Sequence, residues 1–128
     1  MIKELRLVNW KSFEDSKLFV DPLTFLIGTN ASGKSNILDA FQFLQRIASG
    51  ISIQSAINGD RSIHSLRGGT EWIIRHGQDS CSLGIKVQLS KTDYDYDYEI
   101  EDEVDYEIEM RKIEQGIEIV SEKLKGNK

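Results

Sequence analysis

Hydrophobic and polar positions change period several times along this chain, and each change marks an element. The opening residues Ile2, Leu5, Leu7, Val8 and Trp10 mix alternation with charge and predict a strand of about six to eight residues. KSFEDS reads as a turn, and Leu18 to Val20 as a short second strand before Asp21-Pro22, the only proline, which breaks any regular element. LTFLI follows, nearly unbroken in apolar character up to Gly28, which suits a strand buried on both faces. From Lys34 the period becomes helical: Ile37, Leu38, Phe41, Leu44, Ile47 and Ala48 recur at spacings of three and four, predicting an amphipathic helix that ends near Gly50.

A second short helix is predicted around Ile53 to Ile57, then a glycine-bearing loop, RSIHSLRGG. Glu71 to Arg75 and Leu83 to Leu89 read as strands. Beyond them Tyr94, Tyr96, Tyr98, Ile100, Val104, Tyr106, Ile108 and Met110 hold even positions while acids dominate the odd ones, with only Asp102 out of step. One strand of that length would extend about 55 Å, so two strands with a turn or bulge near Glu101 to Glu103 are expected. The Tyr94, Tyr96 and Tyr98 face could stack on bases, but with acids opposite it reads better as a packed β-lobe. Ile117 to Leu124 forms the last strand, after a Gln115-Gly116 turn.

A length of 128 residues with 39% hydrophobic and 29% charged side chains suits one soluble domain. The expected division is a core over residues 1–70 and an acidic β-rich lobe over 71–128. No apolar run reaches the roughly 18 residues that span a bilayer, and the charged start lacks a signal peptide's apolar stretch, so a cytoplasmic protein with no membrane partner is expected. Cys81 cannot form an internal disulfide and reads as a core residue, while His64 and His76, without metal-ligand spacing, read as loop residues. The net charge of −5 is unevenly spread: residues 1–91 carry 11 basic and 8 acidic side chains, and residues 92–128 carry 5 and 13. Any DNA contact therefore belongs to the first 91 residues, with Arg61, Arg67 and Arg75 as candidates.

The segment GTNASGKS fits G-x-x-x-x-G-K-[ST] and lies between a predicted buried strand and a predicted amphipathic helix, the context in which that pattern binds phosphate. Gly28 turns the chain off the strand, and Gly33 lets the backbone approach a phosphate without a side chain in the way. The candidate cradle is Gly28, Thr29, Asn30, Ala31, Ser32, Gly33, Lys34, Ser35 and Asn36, whose N–H groups meet the positive end of a helix dipole. Lys34 is the candidate for the β- and γ-phosphates, the Ser35 hydroxyl for a magnesium ion, and Asn36 for the α-phosphate. ATP with Mg2+ is the expected ligand.

Three stretches go further and resemble the ABC-type ATPase heads of the SMC, RecF and OLD group, which are AAA_21-like. IKELRLVNWKSFED is similar to that group's first strand and its Lys-Ser-Phe turn. LTFLIGTNASGKSNILDAFQFL is similar to its P-loop and first helix, and HSLRGGTEWIIRHG to its arginine loop, although Ala31 and Thr29 stand where the group usually has Gly and often Pro. The resemblance covers roughly residues 1–90 and implies roles near the nucleotide or in DNA coupling for Arg67 and Lys11. It implies an α/β fold: a P-loop nucleotide-binding half-core with an antiparallel β-lobe.

The group's C-terminal Asp-Glu strand and signature serine motif have no counterpart in these 128 residues. The resemblance thus implies an N-terminal lobe that needs a C-terminal lobe, in cis or in trans, to hydrolyse ATP. Its heads would pair as a homodimer and act in DNA repair, chromosome maintenance or phage defence, with DNA reached through the full-length protein. A free-standing nucleotide-binding or protein-interaction module that hydrolyses nothing is the alternative; a transporter ATPase subunit fits the Lys-Ser-Phe and Leu-Arg-Gly-Gly stretches less well.

Overall fold

A computed structural model of the chain describes residues 2–19, 31–66, 68–93 and 98–126. The predicted LTFLI strand, residues 28–30 of the phosphate motif, Arg67, Tyr94 and Tyr96 lie outside the described residues. The architecture is mixed α/β. Strands β1 (Ile2–Trp10) and β2 (Phe13–Phe19) form a hairpin; helices α1 (Ala31–Ala48), α2 (Ile53–Asn58) and α3 (Gly69–Ile73) follow; strands β3 (Ser80–Asp93), β4 (Tyr98–Ile113) and β5 (Gly116–Gly126) complete the order. The five strands among the described residues join one antiparallel sheet in the order β2-β1-β3-β4-β5. Strands from either side of residue 70 therefore share a sheet, because β1 pairs with both β2 and β3.

Alternation decides which sheet face is buried. Leu5 and Leu7 of β1, Cys81 and Leu83 of β3, Ile108 and Met110 of β4 and Ile117 of β5 are buried with Ile37, Ala40, Phe43 and Leu44 of α1 and Ala56 and Ile57 of α2 in one hydrophobic cluster. Tyr106, Ile108 and Met110, at even positions of β4, pack in or against this core, as the sequence pattern predicts. The other face is polar: Arg6 donates to Asp105 at 2.6 and 3.0 Å and to Glu4 at 2.7 Å. These carboxylates raise the Arg6 guanidinium above its ordinary value, the Asp105 hydrogen bond most strongly, against a partial desolvation.

Helix α1 ends in a Schellman motif, in which the Gly50 N–H donates to the Ile47 carbonyl at 3.0 Å and the Ile51 N–H to the Arg46 carbonyl at 3.1 Å. Gly50 makes this possible with φ of 86°. The Arg46 side chain, itself buried, donates to the Ala56 carbonyl at 2.7 Å and so ties α1 to α2. Ser52 caps α2 by accepting from the Ser55 N–H at 3.2 Å.

Four expectations change. KSFEDS is not all turn: only Lys11 and Ser12 turn, and β2 already runs from Phe13, where Phe13 pairs with Trp10. Leu38 is 45% exposed, and the buried stripe runs through Ala40 and Phe43 instead. Glu71 to Arg75 is not a strand, since α3 occupies Gly69–Ile73 and only Ile74 makes a bridge, to Trp10; short apolar runs do not separate helix from strand by period. Finally, β4 passes through residues 101–103 without a turn, because β3 extends to Asp93 and pairs with it continuously, Ser90 with Glu101 and Gln88 with Glu103. The irregularity lies farther on, between Glu109 and Met110, opposite Val120 of β5.

Candidate functional site

The candidate phosphate motif runs into the start of α1. Ala31 to Asn36 form its first turns, and that first turn holds no acidic residue. Four N–H groups at a helix start lack intrahelical partners and carry roughly half a positive charge, so a neighbouring carboxylate would compete with an anionic ligand. The absence of one in this turn leaves the helix start suited to a phosphate. Ser35 and Asn36 are half-buried.

The β1–β2 turn is docked on the same part of α1. The Trp10 indole N–H donates to the Asn36 carbonyl at 3.0 Å, and the Asn36 amide donates to Ser12 Oγ at 2.7 Å. Lys11 Nζ meets Asp39 Oδ2 at 2.6 Å, with the two side chains only 7% and 10% exposed. Asn36 and Asp39 are three apart and so share one helix face, which is why one short turn engages both. The turn is unusual, with φ of 53° at Asn9 and 50° at Lys11. Its conformation is held from the far side, where the Lys11 N–H donates to the Ile73 carbonyl at 2.8 Å and the Arg75 N–H to the Asn9 carbonyl at 2.7 Å. Beneath it the Trp10 and Phe43 rings lie 5.8 Å apart, tilted at 47°.

Sequence reasoning singled out Lys11 and Asn36 and missed Asp39. The available signal was its spacing, one helical turn beyond Asn36. It also missed Trp72 of α3, which lines a cavity of about 640 Å³. Lys11, Ser12 and Asn36 line this cavity together with Glu71, Trp72 and His76. Of the other basic candidates, Arg61 is exposed and Arg75 lies 4.0 Å from Glu14. His64 is exposed on its loop. Cys81 is buried, and desolvation, helped by Glu109, pushes its thiol up to about 12, so it is a core residue and a poor nucleophile. Among the described residues no three His, Cys, Asp or Glu side chains group as a metal site, and no helix is long and apolar enough to cross a membrane.

A family model described as "AAA domain, putative AbiEii toxin, Type IV TA system" matches residues 23–124, most of the chain. The chain belongs to this AAA domain family. Its similarity extends to the chromosome partition protein Smc of Bacillus subtilis (strain 168), 39% identical over 82 residues, or 62% of this chain and 6% of that protein. The DNA double-strand break repair Rad50 ATPase of Thermoplasma acidophilum is 43% identical over 44 residues, covering 34% of this chain and 5% of its own length. The DNA replication and repair protein RecF of Lactococcus lactis subsp. cremoris (strain MG1363) is 46% identical over 44 residues, covering 34% and 12%. The chain thus spans a small part of each of these relatives. Family and relatives together identify it as the N-terminal part of an SMC/RecF-like ABC-type ATPase head. No solved structure matches the chain.

Proposed function

We propose that this chain is the ATP-binding lobe of an SMC/RecF-type ATPase, with the triphosphate held by residues 28–36. The observation that carries this reading is the GTNASGKS motif running into a helix whose first turn has no acidic residue, in a member of an AAA domain family. Backbone N–H groups of this segment would bind phosphate oxygens, Lys34 would add its charge at the β- and γ-phosphates, and Ser35 would supply a hydroxyl ligand to Mg2+. The residues present fit that group. Magnesium, when bound, neutralises charge on the phosphates. Lys11 and Asp39 hold the helix against the hairpin turn beside the motif.

Hydrolysis in this reading needs a C-terminal lobe, in cis or from another chain, and the heads pair as a homodimer. The relatives' roles in chromosome partition and DNA repair support a role in DNA maintenance, in which DNA meets the full-length protein through the basic first 91 residues, with Arg61, Arg67 and Arg75 as candidates, in the cytoplasm. The toxin–antitoxin wording of the family description supports a defence role within this reading.

Calorimetry with ATP and Mg2+ tests the assignment. Lys34→Ala is expected to lose most of the nucleotide affinity with an unchanged circular dichroism spectrum. Equal affinities for the two chains would remove the phosphate assignment.

A further inference from the structure

Trp72 is 64% exposed, an unusual setting for an indole in a chain with only two tryptophans, the other of which is fully buried. Its position is fixed from one side. Gly68, at φ of 78°, leaves room for it: a Cβ there would come within 2.5 Å of Trp72 Cβ and Cδ1. The glycine thus lets the Trp72 side chain settle against the backbone while much of it stays open to solvent. The indole lines the 640 Å³ cavity that is also lined by Asn36, the last residue of the candidate phosphate cradle. That volume falls within the usual range for small-molecule pockets, about 300–1,000 Å³.

We propose that Trp72 is a stacking platform for the base of the nucleotide, with the cavity between it and Asn36 holding base and ribose. This inference rests on the phosphate reading above. A ligand whose phosphates sit at the start of α1 and whose remainder passes Asn36 enters this cavity. A nucleobase offers a π face for the indole and polar edges for hydrogen-bonding side chains, and Glu71 and His76 line the same cavity as Trp72. The lining mixes charge, Glu71 with Lys112 and a Lys11 already paired with Asp39, which fits a single nucleotide better than a nucleic-acid strand, whose backbone selects a continuous basic track.

The test uses the 128-residue chain and two probes, Mg2+ with ATP and Mg2+ with inorganic tripolyphosphate, which lacks a base. Because Trp10 is buried, ATP should quench the exposed Trp72 emission while tripolyphosphate leaves it unchanged. By calorimetry, Trp72→Ala should weaken ATP by about 5- to 150-fold, the span of base–aromatic stacking, and leave tripolyphosphate affinity unaltered. Trp72→Phe should restore most of the loss. If ATP binds in a Lys34-dependent way but Trp72→Ala changes nothing, the stacking assignment fails and the phosphate reading stands. If neither probe binds the unmodified chain, the phosphate reading fails and the inference with it. Quenching by an oligothymidylate without nucleotide, and none by ATP, would make Trp72 a nucleic-acid contact and overturn the proposal.

Discussion

Lys11 reads in the sequence as an ordinary charged turn residue with a resemblance to a nucleotide-adjacent position, and only the fold shows that its ammonium is buried on Asp39. Nothing in its immediate sequence announces that partner, which lies 28 residues away. Removing one member of a buried ion pair leaves a charge without its counterion, so Asp39→Ala should cost about 3 kcal/mol or more, read as a lower urea midpoint. Replacing both residues, Lys11→Met with Asp39→Leu, should recover much of that loss, because neither charge then remains. A second residue-scale prediction concerns Cys81. Its thiol is raised from 9.0 in the open chain to about 12 by burial, so it contributes nothing to pH dependence below about 9. Above that, the unfolded state ionises first and stability falls as pH climbs toward 12. The same burial should make Cys81 react with a disulfide reagent at pH 8 far more slowly in the native chain than in urea.

Elements were legible where their periodicity ran long enough to discriminate. The eighteen residues of α1 and the even-position apolar set of β4 each repeat over several turns or pleats, and both helix and strand follow the pattern. The five residues of α3 do not, and two glycines at positive φ, Gly68 and Gly69, wind the chain into a helical turn where the apolar run alone suggests a strand. The break expected at residues 101–103 was a length argument, and it failed because β3 extends to Asp93 and pairs with β4 without interruption from Tyr98 to Arg111. The end of α1 is better determined by sequence, since its glycine is required. Gly50 has nothing within 4 Å of a built Cβ, so Gly50→Ala tests conformation alone. It should lower stability by about 1 kcal/mol, and Gly50→Asn by less, because Asn enters the left-handed region more readily. Thermal denaturation of the three chains measures the order.

At the scale of the whole molecule, the charge split in the sequence resolves into a sheet with one apolar and one polar face. The acids of β4 are not a uniformly repulsive surface, since Asp105 engages Arg6, Glu103 lies 3.6 Å from Lys86, and Glu118 of β5 pairs with Arg111. The site is similarly composite: the phosphate motif was legible because its glycines, lysine and serine occur at fixed spacing, whereas Asp39 and Trp72 come beside it only through the hairpin turn, which docks on α1 through Lys11 and bonds the end of the short α3 at Ile73. This composition bears on catalysis. Transferring a phosphoryl group requires charge stabilisation and also a positioned water, and positioning alone accounts for much of the acceleration. The described residues that surround the candidate cavity offer binding groups, Lys11, Ser12, Asn36, Glu71, Trp72 and His76, but the only carboxylate of that set is Glu71, on the short α3 and exposed to bulk water. The isolated chain should therefore bind ATP with Mg2+ and turn it over negligibly, as measured by phosphate release at saturating ATP. Turnover on the order of 1 s⁻¹, typical of a competent phosphoryl-transfer enzyme, that disappeared in Lys34→Ala would show that this lobe completes the catalytic site by itself. In that event Glu71→Gln would become the first variant to make, since a catalytic Glu71 predicts that turnover collapses while calorimetric ATP affinity stays within about threefold of the unmodified chain.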